Sequence, residues 1–193
     1  MNSAITLREA APDVSSGRIA SRPERRSATV SWASVAAWGA GLIELALGAG
    51  SVLIGDRAAR GAGIVLITLG VAGLVWGVAT LGRGRIVVPR SGVAGALVGV
   101  GAVAFALASD PARTSVIATA SAIVLLIAVA LACGSRLRRE RTGGVDAATP
   151  SLSVLIASAV IVAGIVTPVL GSTEAGRLAP SHSDHGIVDP GHH

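Results

Sequence analysis

Lysine is absent from this sequence, cysteine occurs once, and charge is scarce. Each shortage excludes something. The lone Cys133 rules out an internal disulfide framework; it ends an apolar run, where a thiol acts as a small hydrophobe, packed or lipid-facing. Charged residues make up 14% of the chain. A soluble domain of this length needs about 25% to cover its surface. The missing charge and a mean hydropathy of +0.69 place the chain in the membrane class. P-loop, GxGxxG, HExxH and CxxC patterns are all lacking, and every histidine falls after residue 181. No predicted crossing therefore carries a histidine to ligate haem, and no serine has a His and an Asp at a plausible common depth. The sequence reads as a non-enzyme.

All sixteen basic residues are arginine. With abundant Ala, Gly and Val, that matches the coding bias of a GC-rich genome and points to a bacterial source. The net charge of +5 and pI of 11.4 superficially suggest nucleic acid. The arginines lie between apolar runs and form no basic face, so nucleic acid is rejected as a partner and the lipid bilayer is expected instead.

What is present is apolar. Trp32–Ile54 is an almost unbroken run that would span about 33 Å as a helix, enough to cross a bilayer. Four more runs follow, over residues 62–81, 92–108, 114–133 and 152–170. Backbone polar groups cannot stay unpaired in lipid, so all five should be helical. The run over 116–133 is apolar all round, unlike a soluble bundle helix, and the short alternating segments of a β-barrel are missing. The expected fold is all-α: a polytopic membrane protein, a bundle of five transmembrane helices over 31–170. It is flanked by a disordered cytoplasmic tail over 1–30 and a flexible extracytoplasmic tail over 171–193. The Arg25-Arg26 pair resembles a secretory or twin-arginine signal, but the run after it is long and Glu44 interrupts it.

Arginine sets the orientation. Five arginines precede the first run, three lie between runs two and three, and four between runs four and five. These twelve fall on one side of a five-crossing path. Positive charge stays inside, which puts the N-terminus in the cytoplasm and the C-terminus outside, in a multi-pass protein of the plasma membrane. Trp32, Trp38 and Trp76 then lie in the inner half. The first two hairpins resemble each other, with Asp56, Arg57 and Arg60 in one outer turn and Asp110 and Arg113 in the other; a parallel duplication or two similar Gly/Ala-rich hairpins would both look this way. Small residues recur at spacing four: Ala36, Ala40 and Gly48 around Glu44, then Gly73 with Gly77 and Gly95 with Gly99. Such faces let helices approach closely, within one chain, in a homo-oligomer or against a membrane-protein partner.

Two features bear on function. Glu44 is the only ionisable residue deep in an apolar run, about 18 Å from the inner end of its helix. A charged carboxylate there costs about 2.5–3.5 kcal/mol on insertion scales. It should face the bundle, be protonated or meet a polar partner, and Thr68 and Ser121 lie near its level. Glu44 is then either a proton or cation relay or a packing residue donating one hydrogen bond. The second feature is the C-terminal tail, where His182, Asp184, His185, His192 and His193 offer ligands suited to Zn or Cu, in a spacing that matches no zinc-finger pattern. Two functions are therefore expected: an accessory or scaffolding component acting through helix contacts, or a metal-handling or transport component using the His-rich tail and Glu44.

Overall fold

The computed structural model describes residues 21–142 and 152–177. Six helices run in order: α1 (Ser21–Ile54), α2 (Arg57–Gly82), α3 (Pro89–Ser109), α4 (Val116–Arg141), α5 (Leu152–Ser172) and the single turn α6 (Glu174–Arg177). The first five are long and apolar enough to cross a membrane, and no strand occurs among the described residues.

The helices outrun the apolar stretches. α1 is helical from the first described residue, Ser21, so residues 21–30, expected as disordered tail, belong to the first helix. α2 starts at Arg57, where the Asp56 side chain caps it by accepting from the Ala59 N–H at 2.8 Å. α4 continues to Arg141, about two turns beyond the apolar run. Its polar end is supported by an Arg136–Glu140 pair at 3.4 Å and by Arg138, Arg139 and Arg141 in the last turn, where cations suit the helix dipole. Hydropathy marks where lipid begins and leaves open where the helix stops.

α1 is the central helix. The apolar window of its span is 56% buried, against 22% for α2, α3 and α5. The outer faces of those three helices carry large apolar side chains such as Val75, Leu97 and Ile161, as a lipid-facing surface requires. The core runs through Ala33, Ala36, Ala40, Ile43, Leu66, Val103, Ala122 and Val162.

α1 and α2 form an antiparallel hairpin held at glycines. A Cβ at Gly41 would stand 2.7 Å from the Gly70 carbonyl oxygen, and one at Gly48 would stand 2.6 Å from that of Gly63. At the next step, a Cβ at Gly77 would lie 3.0 Å from the Ser34 carbonyl oxygen. Small residues thus recur every seventh position on both helices, in matching register. A seven-residue repeat keeps one seam facing its partner and implies a left-handed supercoil. The spacing-four pattern read from sequence catches Gly48 and Gly77 and misses this longer period.

The second hairpin, α3–α4, is built differently at its turn. Asp110 ends α3 and pairs with Arg113 at 3.7 Å, while Ser115 caps α4 through the Ala118 N–H. Asp56, by contrast, opens α2, and Arg60 donates to the Gly55 carbonyl. The two Asp–Arg turns are not equivalent in role. α5 packs on the seam between α1 and α4, with Gly39 against Val162, Val166 and Leu125.

The bundle has a distinct arginine-rich end. The register brings the first half of α1 beside the last half of α2, and Gly92 near the start of α3 meets Cys133 of α4 at 2.6 Å from an ideal Cβ. Arg83, Arg85, Arg90, Arg136, Arg138, Arg139 and Arg141 therefore gather at the end where α1 begins. At the opposite end Ser115 and Ser172 share a hydrogen bond of 3.0 Å, and Gly50 of α1 lies beside Glu174 of α6.

Candidate functional site

Glu44 sits where four helices converge. Its place on the central helix follows from the small residues around it, since Ala37, Ala40, Gly41 and Gly48 draw the neighbouring helices close. The side chain is 2% exposed, yet Oε1 has no hydrogen-bond partner. Such a group ordinarily costs about 1–3 kcal/mol or more when left unpaired.

The carboxyl lines a half-open cavity of about 200 Å³ between α1, α2, α3 and α4, with Ala72, Ser91 and Gly95 exposed along its opening. From Glu44 the wall follows Ala40 and Ala37 on α1, Gly73 and Trp76 on α2, and Gly95 and Ser91 on α3. Gly99 to Ser91 is about 12 Å along α3. The space thus extends from Glu44, deep in the bundle, toward the arginine-rich end.

The other polar groups of this wall are already engaged. Ser91 Oγ donates to the Val88 carbonyl at 2.8 Å, and Trp76 Nε1 donates to the Val87 carbonyl at 2.8 Å. The second bond ties the α2–α3 connection to the cavity wall. That connection carries Gly84 at φ 58° and Val88 at φ 43°. Glycine enters the left-handed region at no steric cost, whereas a β-branched residue there is strained. Glu44 is therefore the buried polar group of the wall that is left without a partner.

Thr68 and Ser121 do not meet it. In the α1–α2 register Glu44 lies level with Ile67, so Thr68 is at the expected depth but on the wrong face. It is exposed, and its hydroxyl donates to the Ile64 carbonyl at 2.9 Å. Ser121 is half-buried on α4, five positions before Leu126, which puts it about 140° round the helix from that cavity-lining residue. Depth is readable from rise per residue, whereas rotation about the axis is not when a run is apolar on every side.

Sequence reasoning missed the residues that make room for the carboxyl. A Cβ at Gly99 would stand 2.6 Å from Glu44 Oε1, and Gly95 has nothing within 4 Å of that position. The α3 glycines at spacing four thus create space for a side chain and a cavity where a helix–helix contact was expected. Cys133 is fully buried between α3 and α4, as a packed thiol.

The tail residues His182, Asp184, His185, His192 and His193 lie outside the described residues. Among the described residues, no group of three or more His, Cys, Asp or Glu comes together to hold a metal ion. No protein-family model, curated protein or solved structure matches this chain.

Proposed function

We propose that this chain is a multi-pass protein of a bacterial plasma membrane, N-terminus inside and C-terminus outside, that works as a non-catalytic transport or ion-handling component with Glu44 as its working group. The observation that carries the proposal is the carboxyl itself: buried, unpaired and facing a cavity. A packing residue would have its hydrogen bond satisfied by a neighbouring helix, and Glu44 Oε1 has none. An intramembrane carboxyl with open space beside it is suited to holding a proton or another cation. The clustering of arginines at the end where α1 begins supports the orientation.

Cation or proton uptake by the full chain in proteoliposomes tests this, wild type beside Glu44→Gln. The substitution keeps side-chain volume and removes the acid. Uptake should fall at least tenfold, and equal uptake by both proteins would remove Glu44 from the function. The proposed Zn or Cu binding by the tail is tested separately, by titrating the full chain against one ending at Ala179.

An accessory role through helix contacts is the second reading. It is favoured by Gly61, Gly101 and Gly164, which are exposed on α2, α3 and α5 with nothing within 4 Å of a Cβ. Another helix, from a second copy or a foreign membrane protein, would find close backbone approach there. Cysteine cross-linking from these three positions in native membranes distinguishes the two: partner adducts together with Glu44-independent uptake favour the accessory role.

A further inference from the structure

We propose that the Glu44 cavity binds a small amine with an apolar body, its nitrogen paired with the Glu44 carboxyl and its body filling the space toward Trp76 and Ser91. This rests on Glu44 being the working group and names the class of ligand.

The wall chemistry selects the ligand. A Mg²⁺ or Ca²⁺ ion needs six or more oxygens, and beside Glu44 the wall is almost wholly apolar, so nearly all of them would have to be water held without wall partners. Zn²⁺ takes four nitrogen, sulfur or oxygen ligands, and the wall offers no imidazole or thiolate. Ser91 and Trp76 each spend their N–H or O–H donor on a main-chain carbonyl, so neither offers a donor to a ligand, and beyond Glu44 the Ser91 oxygen alone can accept. What fits is a molecule with a single basic group at one end and no other polar demand.

Size and charge narrow it further. A closed apolar cavity of about 150 Å³ takes up benzene, so the half-open space of about 200 Å³ has room for at least a body of that size. The indole of Trp76 is held by its bond to Val87 and offers a fixed aromatic surface to the ligand body. A neutral amine takes the proton of the Glu44 carboxyl on its nitrogen lone pair, and the O–H bond breaks as the N–H bond forms. The resulting ammonium–carboxylate pair has no net charge, so the bilayer interior holds no uncompensated ion. The same pair forms if the ammonium meets a carboxylate.

Benzylamine, with eight non-hydrogen atoms, is the probe, and benzyl alcohol is its neutral counterpart of equal size. Binding is measured by titration calorimetry on the full chain in lipid nanodiscs. Wild type should bind benzylamine saturably, and Glu44→Gln at least tenfold more weakly. Gly95→Leu keeps the carboxyl and fills the space, and it should abolish benzylamine binding. Benzyl alcohol should bind wild type at least tenfold more weakly than benzylamine and should not distinguish wild type from Glu44→Gln. Circular dichroism and gel filtration show whether each variant is folded. Equal benzylamine binding by folded wild type and Glu44→Gln, or none by wild type, overturns the amine proposal. If benzylamine fails while cation uptake still depends on Glu44, the ligand class is wrong and the working-group proposal stands. If neither depends on Glu44, both fall.

Discussion

Gly99 of α3 and Glu44 of α1 are matched: the space where a Cβ would stand on Gly99 lies 2.6 Å from Glu44 Oε1. The glycine lets the carboxyl lie against the helix backbone. Because the opposing atom is the tip of a mobile side chain, Gly99→Ala should move the carboxyl and leave the helices in place. Leu126, 3.0 Å from the same position, can shift by a few tenths of an ångström. The expected result is a stability change under about 1 kcal/mol with Glu44-dependent uptake reduced several-fold, checked by thermal unfolding in detergent and by the liposome assay.

Glu44 itself should lower the stability of the fold it serves. Replacing an unsatisfied buried acid by an apolar side chain of similar volume removes a desolvation penalty without leaving a hole. Glu44→Met should therefore stabilise the protein by about 1–3 kcal/mol while eliminating uptake. Denaturant titration of the purified chain measures the first effect; a destabilised Glu44→Met would mean that the carboxyl holds the bundle together.

The α1–α2 seam gives a different outcome from Gly99. A Cβ at Gly48 or Gly63 meets the carbonyl oxygen of the facing glycine, and backbone cannot rotate out of the way. Alanine is favoured over glycine in a helix by about 1 kcal/mol, but separating two packed helices costs more. Each single substitution should destabilise by about 1–3 kcal/mol. The pair Gly48→Ala and Gly63→Ala should cost less than the two singles together, because the first already moves the helices apart. Gly101→Ala and Gly164→Ala, with open space around them, should be neutral or stabilising by up to about 1 kcal/mol.

Val88 offers relief of strain. Its φ of 43° is unfavourable for a β-branched residue, and it is 60% exposed, so its side chain makes little packing contribution. Asparagine tolerates this region and suits the position before a helix. Val88→Asn should stabilise by about 1 kcal/mol, seen as a higher thermal midpoint. It should leave the Trp76–Val87 bond in place, which near-ultraviolet circular dichroism of the indole would report.

The legible parts of this molecule were those that depend on composition over a window. Five spans emerge from hydropathy because each averages over many residues, and Glu44 stands out because no other acid lies so deep in a run. The helical residues 21–30 and the helix end at Arg141 do not emerge, because arginine and glutamate favour helix almost as much as leucine does. Nor does the cavity. It depends on the angle at which α3 presents Gly95 and Gly99, and an all-round apolar helix carries no mark of its rotation. The Thr68 assignment failed on the same angle. The glycine seam was legible in principle, in the recurrence of Ser34, Gly41 and Gly48 against Gly63, Gly70 and Gly77, but at a period of seven.

That recurrence carries a hazard. Moving α2 along α1 by one repeat, about 10 Å, would again set glycine opposite glycine over much of the seam. The interlocking faces alone distinguish poorly between neighbouring alignments. What selects one is the brevity of the Gly55-Asp56 link, which leaves no slack for sliding. Lengthening that link by a few glycines would free α2 to settle one notch away, with Glu44 facing a different wall.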